Sequence, residues 1–227
     1  MAWYAKPSGG YAIDSDEAGN NMFEIYNLLS DEFTIEAICG ILGNMGAESG
    51  YNPWRWQNDR VSLTGGYGLV QFTPASGYIN DYGRQFIGYA PNMSVSYQTQ
   101  GADPRDGMAQ TYVIKHDSAG KYLDRRSWCD YYDLSNTYPF SRFKQITDIE
   151  EATIAWLFNY EAPKDRSQAV ATARYNRALT CYTILTGDPP PQPPEPPYPP
   201  DPPEPPYPPP PHPKPKKLPF WMYLRKI

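Results

Sequence analysis

A proline-rich stretch limits which part of this chain can fold. Of the 227 residues, 27 are proline, and roughly two in three of the residues between Pro189 and Pro215 are proline. The segment Pro193–Pro200 recurs as Pro202–Pro209. Because proline has no backbone N–H to donate, we predict a stiff polyproline II spacer at about 3.1 Å per residue, on the order of 80 Å long.

The spacer divides the chain into three predicted parts. Residues 1–187 are enough for one domain with its own core, and Gly187 marks the end of that domain as a helix terminator. Residues 188–215 are the proline-rich linker. Residues 216–227 are a short basic and aromatic segment.

Periodicity and capping residues predict a mainly helical first domain with at most a small β-hairpin. The best strand candidate is Tyr67–Phe72. The inward face of the last helix is predicted to carry Val170, Ala173, Leu179 and Tyr182. The first predicted helix opens with an Asp14–Glu17 capping box and runs to about Leu29, and the second runs from Thr34 to Ala47. The third runs from Asp106 to about Lys115. The fourth is capped by Asp148 with Glu151 and ended by Pro163, and the last runs from about Arg166 to Leu185.

Glu48 follows the most regular of these helices. Apolar residues at helical spacing give that helix one buried face: Ile35, Ile38, Cys39, Leu42 and Met45. Glu48 comes at its end, between small residues that leave room for a bulky ligand. Partial burial favours the protonated form of a carboxyl, so Glu48 is placed as a general acid would be. The alternative is a surface glutamate at a helix end.

A second motif, Gly65–Pro74, alternates glycine, aromatic and aliphatic residues and then presents Gln71. Glycine permits tight turns and close approach of the backbone to a ligand. The ring of Tyr67 and the amide of Gln71 suit a sugar that carries an N-acetyl group. Taken with Glu48, the motif favours a carbohydrate cleft over an ordinary strand or turn.

These motifs resemble those of the phage tail lysozyme family, which is related to goose-type lysozymes and lytic transglycosylases. The resemblance runs from about Tyr11 to about Leu185 and implies a lysozyme-like helical fold that cleaves the glycan strand of peptidoglycan, with Glu48 as the acid. It rests on three ordered blocks: Leu42–Pro53 with Trp56 and Gln57, then Gly66–Pro74, then Phe140–Lys144 with Phe158–Pro163.

The reaction type depends on a second carboxyl. Asp59 lies in the loop after Glu48 and is the candidate catalytic partner, as a base for water or a nucleophile. The alternative is a solvated loop aspartate beside Arg60. With Asp59 in the site, a muramidase is expected. Without it, Glu48 alone can serve a lytic transglycosylase, whose products have anhydro-muramic ends.

The expected sugar-binding residues are Trp54, Trp56, Tyr67, Gln71 and Tyr160. Their aromatic rings can stack on successive sugars. Trp156 lies in an apolar run and is expected in the core. Glu161, at the end of the same helix, is expected to be a surface or structural charge.

Net charge and hydropathy restrict partners and location. The formal net charge is −5, which argues against binding nucleic acid. There is no apolar run of about 18 residues to span a membrane. Residues 1–10 lack a basic start and an apolar core, so no signal peptide is expected. A wall-degrading enzyme of this kind would reach peptidoglycan on a virion (a phage tail) or by release through a membrane lesion to the host cell wall.

No metal and no cofactor are expected. The chain has three cysteines and two histidines without metal-binding spacing. Cys39 is expected to pack in the core, and Cys129 and Cys181 can pair or stay reduced. The segment after the linker has Trp221 among basic residues and suits either another virion protein or a membrane surface. The rival to an enzyme is an inactive virion structural or wall-binding protein.

Overall fold

The structure, a computed structural model, describes residues 3–7, 9–79, 105–116, 139–161 and 163–191. These residues belong to one compact unit that extends to Pro191. The expectations for Cys129, for most of the linker and for residues 216–227 lie outside the described residues. The division into three parts therefore stays a prediction.

The first two helices begin at side-chain caps. Helix α1 spans Asp16–Leu29, and the Ser15 side chain accepts a hydrogen bond from Ala18 N. The predicted capping box at Asp14 is therefore wrong by one residue. Helix α2 spans Ile35–Glu48 and is capped by Thr34, as predicted, through Ala37 N.

The remaining described elements are mostly helical too. They are a 3₁₀ turn at Gln57–Asp59, α3 at Ala75–Gly77, α4 at Arg105–His116, α5 at Phe140–Phe143, α6 at Ile149–Trp156, a π-helical turn at Leu157–Glu161 and α7 at Gln168–Thr186. Asp148 caps α6 through Glu151 N, as its sequence predicts. Gly187, with φ of 75°, ends α7 in the left-handed conformation, as predicted for a helix terminator.

Two predicted details differ from the structure. Asp106 lies inside the first turn of α4, where its buried carboxylate accepts hydrogen bonds from the hydroxyls of Tyr67 and Tyr78 instead of capping the helix. The buried residues of α7 are Ala178 and Cys181, whereas Ala173 is exposed. The prediction that Ala173 lies on the inward face of α7 is therefore wrong.

The segment from Trp56 to Phe72 is a compact turn. Isolated antiparallel bridges pair Tyr67 with Trp56 and with Phe72, and the described part of the chain contains no longer strand. Tyr67 and Phe72 therefore pair through an isolated bridge and do not form the predicted strand. This agrees with the expectation of at most a small β-hairpin. The architecture is mainly helical, as expected.

Helix α2 is the centre of the core and packs on both α6 and α7. Two of its glycines permit this close packing. A Cβ built on Gly40 would lie 2.7 Å from the carbonyl carbon of Ala152 on α6, and one on Gly43 would lie 2.6 Å from the backbone oxygen of Arg174 on α7. The buried amide of Asn44 also joins α2 to α6, since its Nδ2 donates to Thr153 O at 3.1 Å.

Cys39 is buried in this core, as predicted, and Cys181 is a buried free thiol 3.3 Å from the hydroxyl of Tyr51. None of the helices in the described part of the chain combines the length and apolar character needed to cross a membrane.

Candidate active site

Glu48 is the last residue of α2, where the helix meets the turn that contains the second motif. The neighbouring Ser49 hydroxyl donates to Leu69 O at 2.8 Å and so ties the helix end to that turn. The Glu48 side chain keeps 25% of its surface exposed. The sequence prediction of a partly buried carboxyl at the end of a buried helix is therefore confirmed.

Arg174 of α7 holds Glu48. Its Nη2 lies 2.6 Å from Glu48 Oε1, and its Nη1 donates to Asn44 O at 2.6 Å. Only 11% of the Arg174 side chain is exposed. This charge-assisted contact fixes the orientation of the Glu48 carboxyl from the protein side.

Glu161 supplies a second carboxyl to the same cluster. It ends the π-helical turn, and its Oε1 accepts a hydrogen bond from Trp156 Nε1 at 3.1 Å. The residue is partly exposed, but burial of its carboxyl is the largest cause that raises its pKa, to about 8 from an ordinary 4.5. The charge of Glu48 raises the pKa further, while Arg174 and the Trp156 bond lower it.

The charges of Glu48 and Arg174 both act on Glu161, so the three side chains form one electrostatic cluster. With its raised pKa, Glu161 can hold a proton at neutral pH.

The predicted stacking residues lie in the core. Trp54, Trp56, Tyr67 and Tyr160 are each 2% exposed or less. The Tyr67 hydroxyl donates to Asp106, and the Tyr160 ring stacks on Trp156 at 3.9 Å between centroids. All four rings belong to the hydrophobic core. Direct stacking on sugars stays a prediction, and the predicted core position of Trp156 is confirmed.

Gln71 supports the turn next to the helix end. Its backbone has φ of 50°, and its amide nitrogen donates to Gly68 O at 3.0 Å and to Arg55 O at 3.3 Å. The amide donor is thus engaged with the protein's own backbone. The predicted contact of Gln71 with an N-acetyl group stays a prediction.

Asp59 has partners other than Glu48. Its Oδ1 accepts a hydrogen bond from Gly9 N at 2.7 Å and lies 3.2 Å from Arg55 Nε, and 44% of its side chain is exposed. These contacts fix the loop against the segment near Gly9. They give Asp59 a structural role beside Arg55, whereas its predicted catalytic role stays a prediction.

A polar groove of about 520 Å³ lies along the loop that contains Asp59. It is lined by Gln57, Asn58, Arg60, Val61, Ser62, Thr64 and Gly65. Neither Glu48 nor Glu161 lines it. The groove is therefore separate from the carboxyl cluster in the part of the chain that the structure describes.

Sequence reasoning missed Arg174, whereas the expectation of a surface or structural charge at Glu161 stays a prediction. Arg174 is 126 positions from Glu48, and no local pattern connects them. Glu161 lies inside one of the blocks that carry the family resemblance, which was a usable signal. An α-helical reading nevertheless places it at an ordinary helix end, because only the π-helical turn brings it to Trp156 Nε1.

No group of three or more potential metal ligands from His, Cys, Asp and Glu occurs among the described residues. The carboxyl cluster instead has a guanidinium as its cation.

Two comparisons with known proteins bear on the family of this chain. A stretch of 62 residues is 48% identical to Morphogenesis protein 1 of Bacillus phage B103, and it covers 27% of this chain and 17% of that relative. The chain thus spans less than a fifth of that relative's length. The model of the phage tail lysozyme family matches residues 20–185, which include Glu48, Glu161 and Arg174. Because this match covers well over half of a mainly helical chain whose helix-end glutamate lies in a charged cluster, the chain belongs to the phage tail lysozyme family.

Proposed function

We propose that this chain is a phage-associated glycosidase that cleaves the glycan strands of peptidoglycan, with Glu48 as the residue that exchanges a proton with the glycosidic oxygen. The observation that carries the proposal is the placement of Glu48. Its carboxyl is partly exposed at the end of a buried helix and is held at 2.6 Å by Arg174, inside the matched family region.

The geometry supports a defined sequence of events at Glu48. The exposed part of the carboxyl can reach a polysaccharide, while Arg174 fixes its orientation from the protein side. Protonation of the leaving oxygen breaks the bond to the anomeric carbon, and an ionised Glu48 remains. Arg174 stabilises that carboxylate by a charge-assisted hydrogen bond.

The outcome for the other sugar distinguishes two enzymes. A muramidase adds water and leaves a reducing end. A lytic transglycosylase uses the 6-hydroxyl of the muramic acid itself and leaves an anhydro end. The contacts of Asp59 with Gly9 and Arg55 favour chemistry by Glu48 without Asp59, and this is the observation that supports the transglycosylase as the second candidate.

Virion association is supported by the family and by the phage origin of the matching relative. The proline-rich linker and the basic, aromatic segment after it would then carry the catalytic domain on a virion protein or a membrane surface. An inactive wall-binding protein is the rival reading.

The decisive test compares clearing of purified peptidoglycan by the wild-type protein with clearing by Glu48→Gln. This change keeps the shape of the side chain and removes its transferable proton, so activity is expected to fall about 10²- to 10⁴-fold. Glu36→Gln is the matched control, since it makes the same change at the opposite end of α2.

Equal clearing by Glu48→Gln and the wild type would refute the role of Glu48. No clearing by the wild type would favour the inactive wall-binding protein. Mass spectrometry of the products separates the two enzymes by reducing or anhydro ends.

A further inference from the structure

Helix α4 holds the turn that contains the second motif, Gly65–Pro74, with two buried polar side chains. Asp106 and Gln110 lie one helical turn apart on the same face of α4, and both are fully buried. The Asp106 carboxylate accepts hydrogen bonds from the hydroxyls of Tyr67 and Tyr78. Gln110 instead binds the backbone.

The Gln110 amide joins the two segments that carry the site motifs. Its Oε1 accepts a hydrogen bond from Leu69 N at 2.6 Å, and its Nε2 donates to Pro53 O at 2.7 Å. Leu69 belongs to the second motif, and Pro53 belongs to the segment that follows Glu48. A backbone N–H needs an acceptor and a backbone carbonyl needs a donor, so these partners fix the orientation of the amide.

We propose that Gln110 is a positioning residue for the glycosidase reaction, whose amide fixes the turn beside Glu48 and so sets where the acid meets the glycosidic oxygen. This inference rests on the proposed function of Glu48. Gln110 itself does not contact the substrate, because it is fully buried and both ends of its amide bind backbone.

A short chain of contacts connects Gln110 to Glu48. Gln110 binds the N–H of Leu69, and the carbonyl oxygen of Leu69 accepts a hydrogen bond from the Ser49 hydroxyl at 2.8 Å. Ser49 directly follows Glu48 and is the C-cap of α2. A shift of the Leu69 backbone is therefore passed to the end of α2, and misplacement of a catalytic group by about 1 Å can lower a rate roughly 100-fold.

The backbone next to Leu69 is adapted to the amide. Gly68 has φ of 79°, and a Cβ at this position would collide with the Gln110 side chain. Glycine at position 68 thus permits both the left-handed conformation and the close approach of Gln110 to the turn.

The first test is Gln110→Met, which keeps the length of the side chain, cannot donate to Pro53 O and offers Leu69 N only a weak acceptor. On soluble glycan fragments of peptidoglycan, kcat is expected to fall about tenfold to 100-fold while KM changes less than about threefold. Circular dichroism should show the native helical spectrum. Thr111→Val is the matched control and should keep the wild-type kcat, because its buried hydroxyl donates to Gly107 O within α4 itself.

A second variant, Gln110→Glu, reports the two hydrogen bonds themselves. A protonated carboxyl accepts through one oxygen and donates through the other, so it can bind Leu69 N and Pro53 O as the amide does, whereas a carboxylate can only accept. Burial favours the protonated form, and an ionised Asp106 one turn away favours it further. The kcat of Gln110→Glu relative to that of Gln110→Met should therefore rise about tenfold as the pH falls from about 8 to about 5.

Either of two results would overturn the proposal: a wild-type kcat in folded Gln110→Met, or a ratio of the two variants that stays constant with pH. If Gln110→Met does not fold, the pH dependence of Gln110→Glu measured against the wild type decides in the same way.

Hydrogen exchange separates this inference from the proposed function. Followed by NMR, the Leu69 amide should exchange about tenfold faster or more in Gln110→Met than in Thr111→Val, because it loses its bond to Gln110. Equal exchange in the two variants would overturn the contact and the proposal with it. A wild type that shows this contrast but cleaves no glycan would support the hold of Gln110 on the turn and refute the proposed function alone.

Discussion

Substitution of Gly43 by alanine tests whether the packing of α2 on α7 sets both stability and the position of Arg174. A Cβ on Gly43 would lie 2.6 Å from Arg174 O and 2.8 Å from the Ala178 Cβ, whereas ordinary contacts begin at 3.4 Å. The two helices would have to separate by about 0.8 Å, the difference between these distances. The nearest obstacle is backbone, which cannot rotate away as a side chain does.

The energetic effect has two opposing parts. Alanine in a helix interior gains about 1 kcal/mol over glycine, and overpacking a core costs about 1–3 kcal/mol. Because the obstacle is backbone, we place the overpacking cost at about 2–3 kcal/mol and expect a net loss of about 1–2 kcal/mol for Gly43→Ala. The control is Gly19→Ala on α1, where a Cβ meets nothing within 4 Å, and a gain of about 0.5–1 kcal/mol is expected.

Thermal unfolding followed by circular dichroism measures the contrast. For a domain of this size the two variants should differ in Tm by roughly 5–10 °C, with Gly43→Ala the lower. Clearing of peptidoglycan by Gly43→Ala should also fall, because Arg174 moves with the α7 backbone away from Glu48. If Gly43→Ala melts above the wild type, as Gly19→Ala should, the close packing of α2 on α7 is refuted.

Two further predictions concern the side-chain caps of α1 and α2 and the buried thiol of Cys181. Thr34→Ala removes the α2 cap and a hydrogen bond from the Thr34 hydroxyl to Ile146 O, and should destabilise the protein by about 2 kcal/mol in chemical denaturation. Ser15→Ala removes the α1 cap and should cost about 1 kcal/mol. Equal losses of stability would contradict the added contact of Thr34. Burial raises the pKa of Cys181 to about 12. This thiol should therefore react with an alkylating reagent at pH 8 only as fast as the protein unfolds. Rapid modification of the folded protein, measured by mass spectrometry, would contradict the burial of Cys181.

Local signals made the helical part of the fold predictable. Thr34 and Asp148 each come directly before an apolar residue of a helical run, and both are the observed caps. At the start of α1, Asp14 and Ser15 are both good caps at adjacent positions. The choice between them is decided by the exact start of the helix, which the local pattern specifies to within only a residue or two.

The candidate site was predictable only in part. Glu48 was identified because helix periodicity, small neighbours and the family motif coincide at one position. Arg174 could not be found in this way, because its contact with Glu48 exists only after α7 has packed on α2. The contact of Glu161 with Trp156 was not predicted, because an α-helical period does not bring residues five positions apart together.

The widened turn at Leu157–Glu161 also affects comparison with other chains. Glu161 is five positions after Trp156, the spacing that a π turn brings together, whereas an α turn would bring the position four after the tryptophan there instead. A glutamate aligned with Glu161 in another protein would then face different neighbours. The contact with the indole nitrogen requires the same turn as well as a glutamate at the aligned position.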